Sequence, residues 1–143
     1  MLDARQITLV QSSFAAVLPH TDVVAAGFYA RLFALAPETR ALFRHDMTDQ
    51  GRKLFLTLAT VVDALDALDR VLPVAEALAV RHVSYGALDR HYAIVGEALV
   101  GALAETLGDR FDADTRAAWI HAYTLLSDHM RTAAAGASIA AAA

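Results

Sequence analysis

Apolar residues recur every three or four positions along almost the whole chain, and no segment of useful length alternates with a period of two. The first pattern places apolar side chains on one face of an α-helix, whereas alternation is typical of a half-buried strand. The 143 residues suit a single domain. The sequence therefore predicts an all-α domain with about six to eight helices around one core.

Capping and breaking residues divide the pattern into segments. Short polar side chains cap helix N-termini, proline suits the first helical position, and glycine often ends a helix. Pro37 is expected to open a short turn, and Gly86 and Gly108 to end helices. Five further residues are expected to cap or begin helices: Thr21, Asp49, Pro73, Asp89 and Asp112.

Each expected helix has one apolar face, and one of these faces contains a histidine. The segment 133–143 is mostly alanine and is expected to extend the last helix or fray, which leaves 1–132 as the folded domain. The faces are Ile7, Val10, Phe14 and Val17; Val24, Phe28, Leu32 and Leu35; Leu54, Leu58, Val61, Leu65 and Leu68; Val74, Leu78, His82 and Tyr85; Tyr92, Val95, Leu99 and Leu103; and Trp119, Tyr123, Leu126 and Met130.

Composition excludes several classes of function. The absence of cysteine removes disulfides, thiolate metal sites, cysteine nucleophiles and thioether-linked pigments, and it fits a cytoplasmic protein. The 12 basic residues are scattered and the net charge is −4, so we expect neither a nucleic-acid partner nor a membrane anchor. The N-terminal segment carries charges and no long apolar run, so no signal peptide is expected.

His82 is the first candidate for chemistry, because it takes an apolar position in a stripe that should face the core. A buried imidazole needs a partner for each nitrogen, and a metal on one with a backbone carbonyl on the other would meet that need. A core histidine satisfied by protein hydrogen bonds is the alternative, and the helix pattern alone favours it. Two other histidines, His91 and His121, are expected on helix surfaces.

Two further groups are weaker candidates. Tyr29 and Gln50 could donate hydrogen bonds to a small oxygen-containing ligand, although the residues alone favour a half-buried tyrosine and a solvated glutamine. Arg52, Lys53 and Arg81 could pair with acidic groups of a cofactor, although ordinary solvated charges are the simpler interpretation.

Taken together, these residues resemble the bacterial single-domain globins, particularly those related to the haem domain of flavohaemoglobins. The similarity extends from about residue 2 to residue 130, and its order and spacing are highly specific. The segments that carry it are FYARLF at 28–33 with PETR at 37–40 and LF at 42–43; QGRKL at 50–54; RH at 81–82 with YG at 85–86, HY at 91–92 and VG at 95–96; and AW at 118–119 with AY at 122–123.

The resemblance implies a globin fold around one haem b pocket. It makes His82 the proximal iron ligand and Tyr29 and Gln50 the distal hydrogen-bonding pair. Because no distal histidine occupies the Gln50 position, two-histidine ligation is not favoured, although His45 could intrude. The other expected contacts with haem or its ligand are Phe43, Leu54, Leu78, Tyr92, Val95, Lys53 and Arg81.

One departure from the flavohaemoglobin pattern concerns the proximal side. A glutamate in that family's last helix joins the proximal histidine and tyrosine, whereas here the matching position falls near Ala134 and no acid follows Asp128. A strong electron-donating effect on His82 is therefore not expected.

The implied function is reversible, high-affinity binding of dioxygen, with carbon monoxide and nitric oxide as other diatomic ligands. Nitric oxide dioxygenation is the alternative, and it would need a separate reductase because this sequence has no flavin or nicotinamide domain. A haem-free interaction module is the third hypothesis, since a fold alone does not fix function.

Overall fold

The computed structural model describes residues 2–43 and 46–142, with side chains for all of these except 84, 85 and 137–142. His45 and the side chain of Tyr85 therefore lie outside the described residues. The described part contains no strand, which confirms the predicted all-α class. Its elements are α1 (Ala4–Val17), α2 (Thr21–Leu35), α3 (Met47–Asp63), α4 (Leu68–Tyr85), α5 (His91–Leu107) and α6 (Ala113–Ala142), with 3₁₀ segments at Leu18–His20, Pro37–Leu42 and Gly108–Arg110.

Three of the predicted helix starts are wrong by one to three residues. His20, not Thr21, precedes α2. Asp46 caps α3 by accepting from the Thr48 amide at 2.8 Å, so Asp49 falls in the first turn. Asp89 precedes α5 without capping it, and its carboxylate instead accepts from Arg131. Where two acidic residues stand close together, propensity alone does not choose the cap.

Other predicted boundaries are confirmed. The Asp112 carboxylate accepts from the Thr115 amide at 2.8 Å and so caps α6. Pro37 opens a 3₁₀ segment, and Gly108 ends α5. Gly86 ends α4 with a φ of 94°, a left-handed conformation that favours glycine.

Pro73 lies inside α4 rather than at its start, contrary to the prediction. It stands in the second turn, where the missing N–H removes one helical hydrogen bond and the remaining turns are intact. The buried face of α4 also differs from the predicted one. Val74 is 37% exposed, whereas Val71, Ala75 and Ala79 are buried.

The core is built mainly between two pairs of helices, α2 with α5 and α4 with α6. The predicted apolar faces supply most of it, although Leu35 at the end of α2 is 46% exposed. A large cluster fills the space among α1, α2, α3, α5 and α6. A second, small cluster of Ala75, Ala79 and Met130 joins α4 to α6, where alanine lets the two helices approach closely.

The last helix continues through the alanine-rich segment to Ala142. No helix in the described part of the chain is both long and apolar enough to cross a bilayer.

Candidate functional site

His82 lies in the last turn of α4, one turn before Gly86. Its Nδ1 is 2.6 Å from the carbonyl oxygen of Leu78, four residues earlier. A carbonyl only accepts, so the neutral ring must carry its proton on Nδ1. The basic lone pair of that tautomer is on Nε2, the nitrogen through which such a ring binds a metal.

Tyr29 on α2 is only 6% exposed and sits among aromatic rings. The rings of Phe28 and Phe43 meet it edge-on, at centroid distances of 4.9 and 5.3 Å. Burial raises the pKa of Tyr29 to about 12. The phenol is therefore a neutral hydrogen-bond donor at ordinary pH, held in place by aromatic packing.

The Tyr29 hydroxyl donates to the backbone carbonyl of Gln50 at 3.5 Å. The two predicted distal residues are thus adjacent, but the contact uses the Gln50 main chain rather than its carboxamide. A close crossing of α2 and α3 brings them together. A β-carbon added at Gly51 would lie 3.0 Å from the Ala25 β-carbon, so glycine allows α3 to approach α2.

Phe43 follows the 3₁₀ segment Pro37–Leu42 in an extended conformation. Its ring also meets Phe33 edge-on at 5.6 Å, which completes an aromatic group with Tyr29. Leu54, one turn after Gln50 on α3, is half-buried against the same large cluster, and so is Val95 on α5. Four of the predicted pocket residues therefore belong to or pack against the large core cluster: Tyr29, Phe43, Leu54 and Val95.

Leu78 and Tyr92 adjoin the other, smaller cluster between α4 and α6. Ala134, near which the sequence lacks the expected acid, packs against the same cluster. The Tyr92 hydroxyl is buried and has no hydrogen-bond partner among the residues that the structure describes. Burial raises the pKa of this tyrosine, and the charge of Asp89 acts in the same direction.

The predicted cations lie at the surface. Arg52, Lys53 and Arg81 are all exposed. Arg52 pairs with Asp49 at 3.7 Å, which is the ordinary helix-surface role that was its alternative interpretation.

His91 is a residue whose environment the sequence reading missed. It was expected on a helix surface, but it is only 5% exposed at the start of α5. The sequence does contain a pattern that indicates burial. His91 shares a helical face with Val95, Ala98 and Ala102, at intervals of four, three and four residues.

The donor set suits a macrocyclic metal group better than a bare ion. Among the described residues, no group of three or more His, Asp or Glu side chains could hold a metal ion. A porphyrin would supply four nitrogen ligands itself, and it would need from the protein one further donor, an apolar pocket and a hydrogen-bond donor near the bound gas. One oriented imidazole, aromatic walls and a buried phenol meet those requirements.

Comparison with known proteins gives the family. The family model described as Globin matches residues 26–130, which is most of the chain. The chain belongs to the globin family. Its matched segment extends from α2 to the Met130 contact between α6 and α4.

The relatives of this globin are longer proteins. It is 33% identical to the flavohemoprotein of Bacillus subtilis over 133 residues, which cover 90% of this chain and 33% of that protein. It is 32% identical to the flavohemoprotein of Deinococcus radiodurans, covering 91% of this chain and 33% of that protein. This globin therefore spans about a third of the length of these curated relatives.

A solved structure matches the whole globin. It is an engineered carbene transferase derived from a candidate nitric oxide dioxygenase of Rhodothermus marinus. The TM-score is 0.89 at 27% sequence identity, with 100% of each chain covered. The globin fold expected from the sequence is therefore confirmed.

Proposed function

We propose that this globin binds haem b through His82 Nε2 and reversibly binds dioxygen. The hydrogen bond from His82 Nδ1 to the Leu78 carbonyl carries the proposal, because it fixes the tautomer and orients the ring. Haem iron, when bound, supplies a coordination position for a diatomic gas. Carbon monoxide and nitric oxide are expected as further ligands of the same position.

The distal side is assigned to Tyr29, Gln50 and Leu54. The Tyr29 hydroxyl stays protonated because burial raises its pKa to about 12, so it can donate to a ligand that acquires negative charge. Such a bond contributes about 1.5–3 kcal/mol when the acceptor is charged. Gln50 is half-buried in the first turn of α3 and adds a second donor, which favours slow release and high affinity.

The remaining pocket residues are assigned by position. Phe43, Leu78, Tyr92 and Val95 supply apolar surface for the macrocycle from the two core clusters. Lys53 and Arg81 are exposed cations that would pair with its propionates. Such ion pairs near solvent contribute only about 0–1 kcal/mol each to haem affinity. Most of the haem affinity is therefore expected from His82 and from the apolar pocket residues.

Visible absorption spectra test the proposal. Purified protein supplied with haem is measured oxidised, reduced and with carbon monoxide, beside His82→Ala and a control, His121→Ala, whose imidazole contacts Gln6 on α1. We expect a Soret band that shifts with carbon monoxide in the wild type and the control, and lost or altered ligation in His82→Ala. A wild type that takes up no haem would overturn the proposal and favour a haem-free interaction module.

Nitric oxide dioxygenation is the second candidate function, and the Rhodothermus marinus relative favours it. Turnover would need electrons from a separate reductase in the cytoplasm, the compartment expected for this globin. The test is nitric oxide consumption over many turnovers with a flavin reductase and NADH. Sustained consumption abolished by His82→Ala would support an enzyme, whereas a single stoichiometric reaction would leave gas binding as the function.

A further inference from the structure

The imidazole of His91 joins two segments that flank the proposed haem site. Its Nδ1 accepts a hydrogen bond from the Leu88 amide at 2.9 Å. Leu88 lies in the loop that follows α4, the helix that carries His82. Because Nδ1 accepts, the neutral ring carries its proton on Nε2, the opposite tautomer to that of His82.

The other nitrogen faces the segment that precedes Phe43. His91 Nε2 is 3.5 Å from Oε1 of Glu38, in the 3₁₀ segment Pro37–Leu42. At this distance the contact is longer than an ordinary hydrogen bond, and among the described residues this buried Nε2 has no hydrogen-bond partner. Glu38 also accepts from Arg90 at 2.9 Å. The Arg90 guanidinium, with a smaller effect from His91, lowers the pKa of the Glu38 carboxyl.

A second contact joins the same two segments. A β-carbon at Gly86 would lie 3.2 Å from Cδ2 of Leu42, so the left-handed glycine that ends α4 packs against the last residue of the 3₁₀ segment. That segment is itself fixed to α2, because the buried Thr39 hydroxyl donates to the Ala36 carbonyl at 2.7 Å. His91 therefore contacts both the loop that follows α4 and the 3₁₀ segment.

These segments lead to opposite sides of the proposed site. Phe43, which packs against Tyr29, follows the 3₁₀ segment directly. His82 stands one turn before Gly86. We propose that His91 is a positioning residue that bridges Leu88 and Glu38, fixes the separation of the Phe43 and His82 sides, and so retains the haem. This inference rests on the proposed function, since it assumes that haem occupies the space between them.

Two substitutions test the contacts of His91 with Leu88 and with Glu38 separately. In His91→Asn, the side-chain oxygen takes the place of Nδ1 and can accept from Leu88 but cannot reach Glu38. In His91→Gln, the amide nitrogen takes the place of Nε2 and can reach Glu38. His91→Leu removes both contacts, and His121→Gln is the control.

The first measurement is amide hydrogen exchange at Leu88 in the purified protein, which does not depend on haem. We expect exchange to accelerate roughly two- to tenfold in His91→Leu, the range for one neutral hydrogen bond, and to stay near the wild-type rate in His91→Asn. Equal exchange in the wild type and His91→Leu would overturn the bridge whether or not the protein binds haem.

The second measurement is the rate of haem loss to excess apomyoglobin. We expect roughly tenfold faster loss in His91→Leu, intermediate rates in His91→Asn and His91→Gln, and no change in His121→Gln. His91→Leu and Glu38→Ala should be less than additive on the logarithmic scale, because each removes the same contact. Wild-type haem retention in a folded His91→Leu variant, or full additivity, would overturn the positioning role, whereas no haem uptake by any variant would count against the proposed function instead.

Discussion

Gly96 on α5 faces the ring of Tyr123 on α6 so closely that an added β-carbon would lie 2.6 Å from Cε2 of the tyrosine. This close approach lets the Tyr123 hydroxyl donate to the backbone carbonyl of Tyr92 at 2.5 Å. Tyr92 stands one helical turn before Gly96. The glycine therefore sets the spacing of α5 and α6 beside a residue of the proposed haem pocket.

Gly96→Ala is expected to lower the free energy of unfolding by about 1–3 kcal/mol, because the new methyl group overpacks against a ring that cannot move away. The measurement is urea unfolding followed by circular dichroism. Gly136→Ala is the matched control, since a β-carbon at that helical glycine meets nothing within 4 Å. A loss of the same size in both variants would contradict the packing explanation.

The hydroxyl of Ser13 makes a second specific contact, between α1 and α6. It accepts from Trp119 Nε1 at 2.7 Å and donates to the Leu9 carbonyl at 2.6 Å. Ser13→Ala leaves the buried indole N–H without a partner, so the free energy of unfolding should fall by about 1–3 kcal/mol. Fluorescence of Trp119 during urea unfolding checks this. Ser12→Ala, at the exposed neighbouring position, should be close to neutral.

The helical period was sufficient to predict the fold class and most of the buried faces. It was insufficient for the helix starts, because Asp46 and Asp49 are equally good caps and residue type does not choose between them. The face of α4 was misread for a related reason. Ala75 and Ala79 are weak hydrophobic signals, yet their small size lets α4 pack closely on α6, which leaves the larger Val74 exposed.

The sequence predicted that Tyr29 and Gln50 would be neighbours in the candidate site, but it did not predict which of their atoms make contact. Tyr29 and Gln50 are neighbours as expected, but the phenol meets a main-chain carbonyl, which no residue identity encodes. His91 was assigned to the surface because histidine is often partly exposed. Its burial depends on Glu38 and Leu88 reaching it from other segments, which is a tertiary effect.

Tyr29→Phe should accelerate dioxygen dissociation from the ferrous protein roughly 10- to 150-fold, the effect of losing one hydrogen bond to a charged acceptor. The ring contacts with Phe28, Phe33 and Phe43 remain, so haem uptake should be unchanged. Stopped-flow release of dioxygen checks this, and carbon monoxide release is the control because that ligand is a weaker acceptor. An unchanged dioxygen rate in both Tyr29→Phe and Gln50→Leu would refute the assigned distal pair.

The same tyrosine should affect stability at alkaline pH. Its pKa is about 12 in the folded protein and 10.0 for the ordinary group, so between these values the folded state holds a proton that the unfolded state has lost. The free energy of unfolding therefore falls as pH rises through this window, by up to about 1.4 kcal/mol per pH unit from this group. Urea unfolding at pH 9.5 and 11 should show a shallower fall in Tyr29→Phe than in wild type, and identical falls would count against the buried phenol.

The proximal side offers a gain-of-function prediction. His82 donates to a neutral carbonyl, and among the described residues the buried Tyr92 hydroxyl has no hydrogen-bond partner. Ala134 packs against the same small cluster as Tyr92, so Ala134→Glu would add a carboxylate to the region of that hydroxyl. We expect a lower ferric–ferrous reduction potential and faster turnover of peroxide, since a more electron-rich axial ligand favours the oxidised iron. Ala135→Glu is the matched control, because position 135 is exposed on the same helix. Equal potentials in the two variants would mean that the neutral carbonyl, and not the missing acid, determines the character of His82.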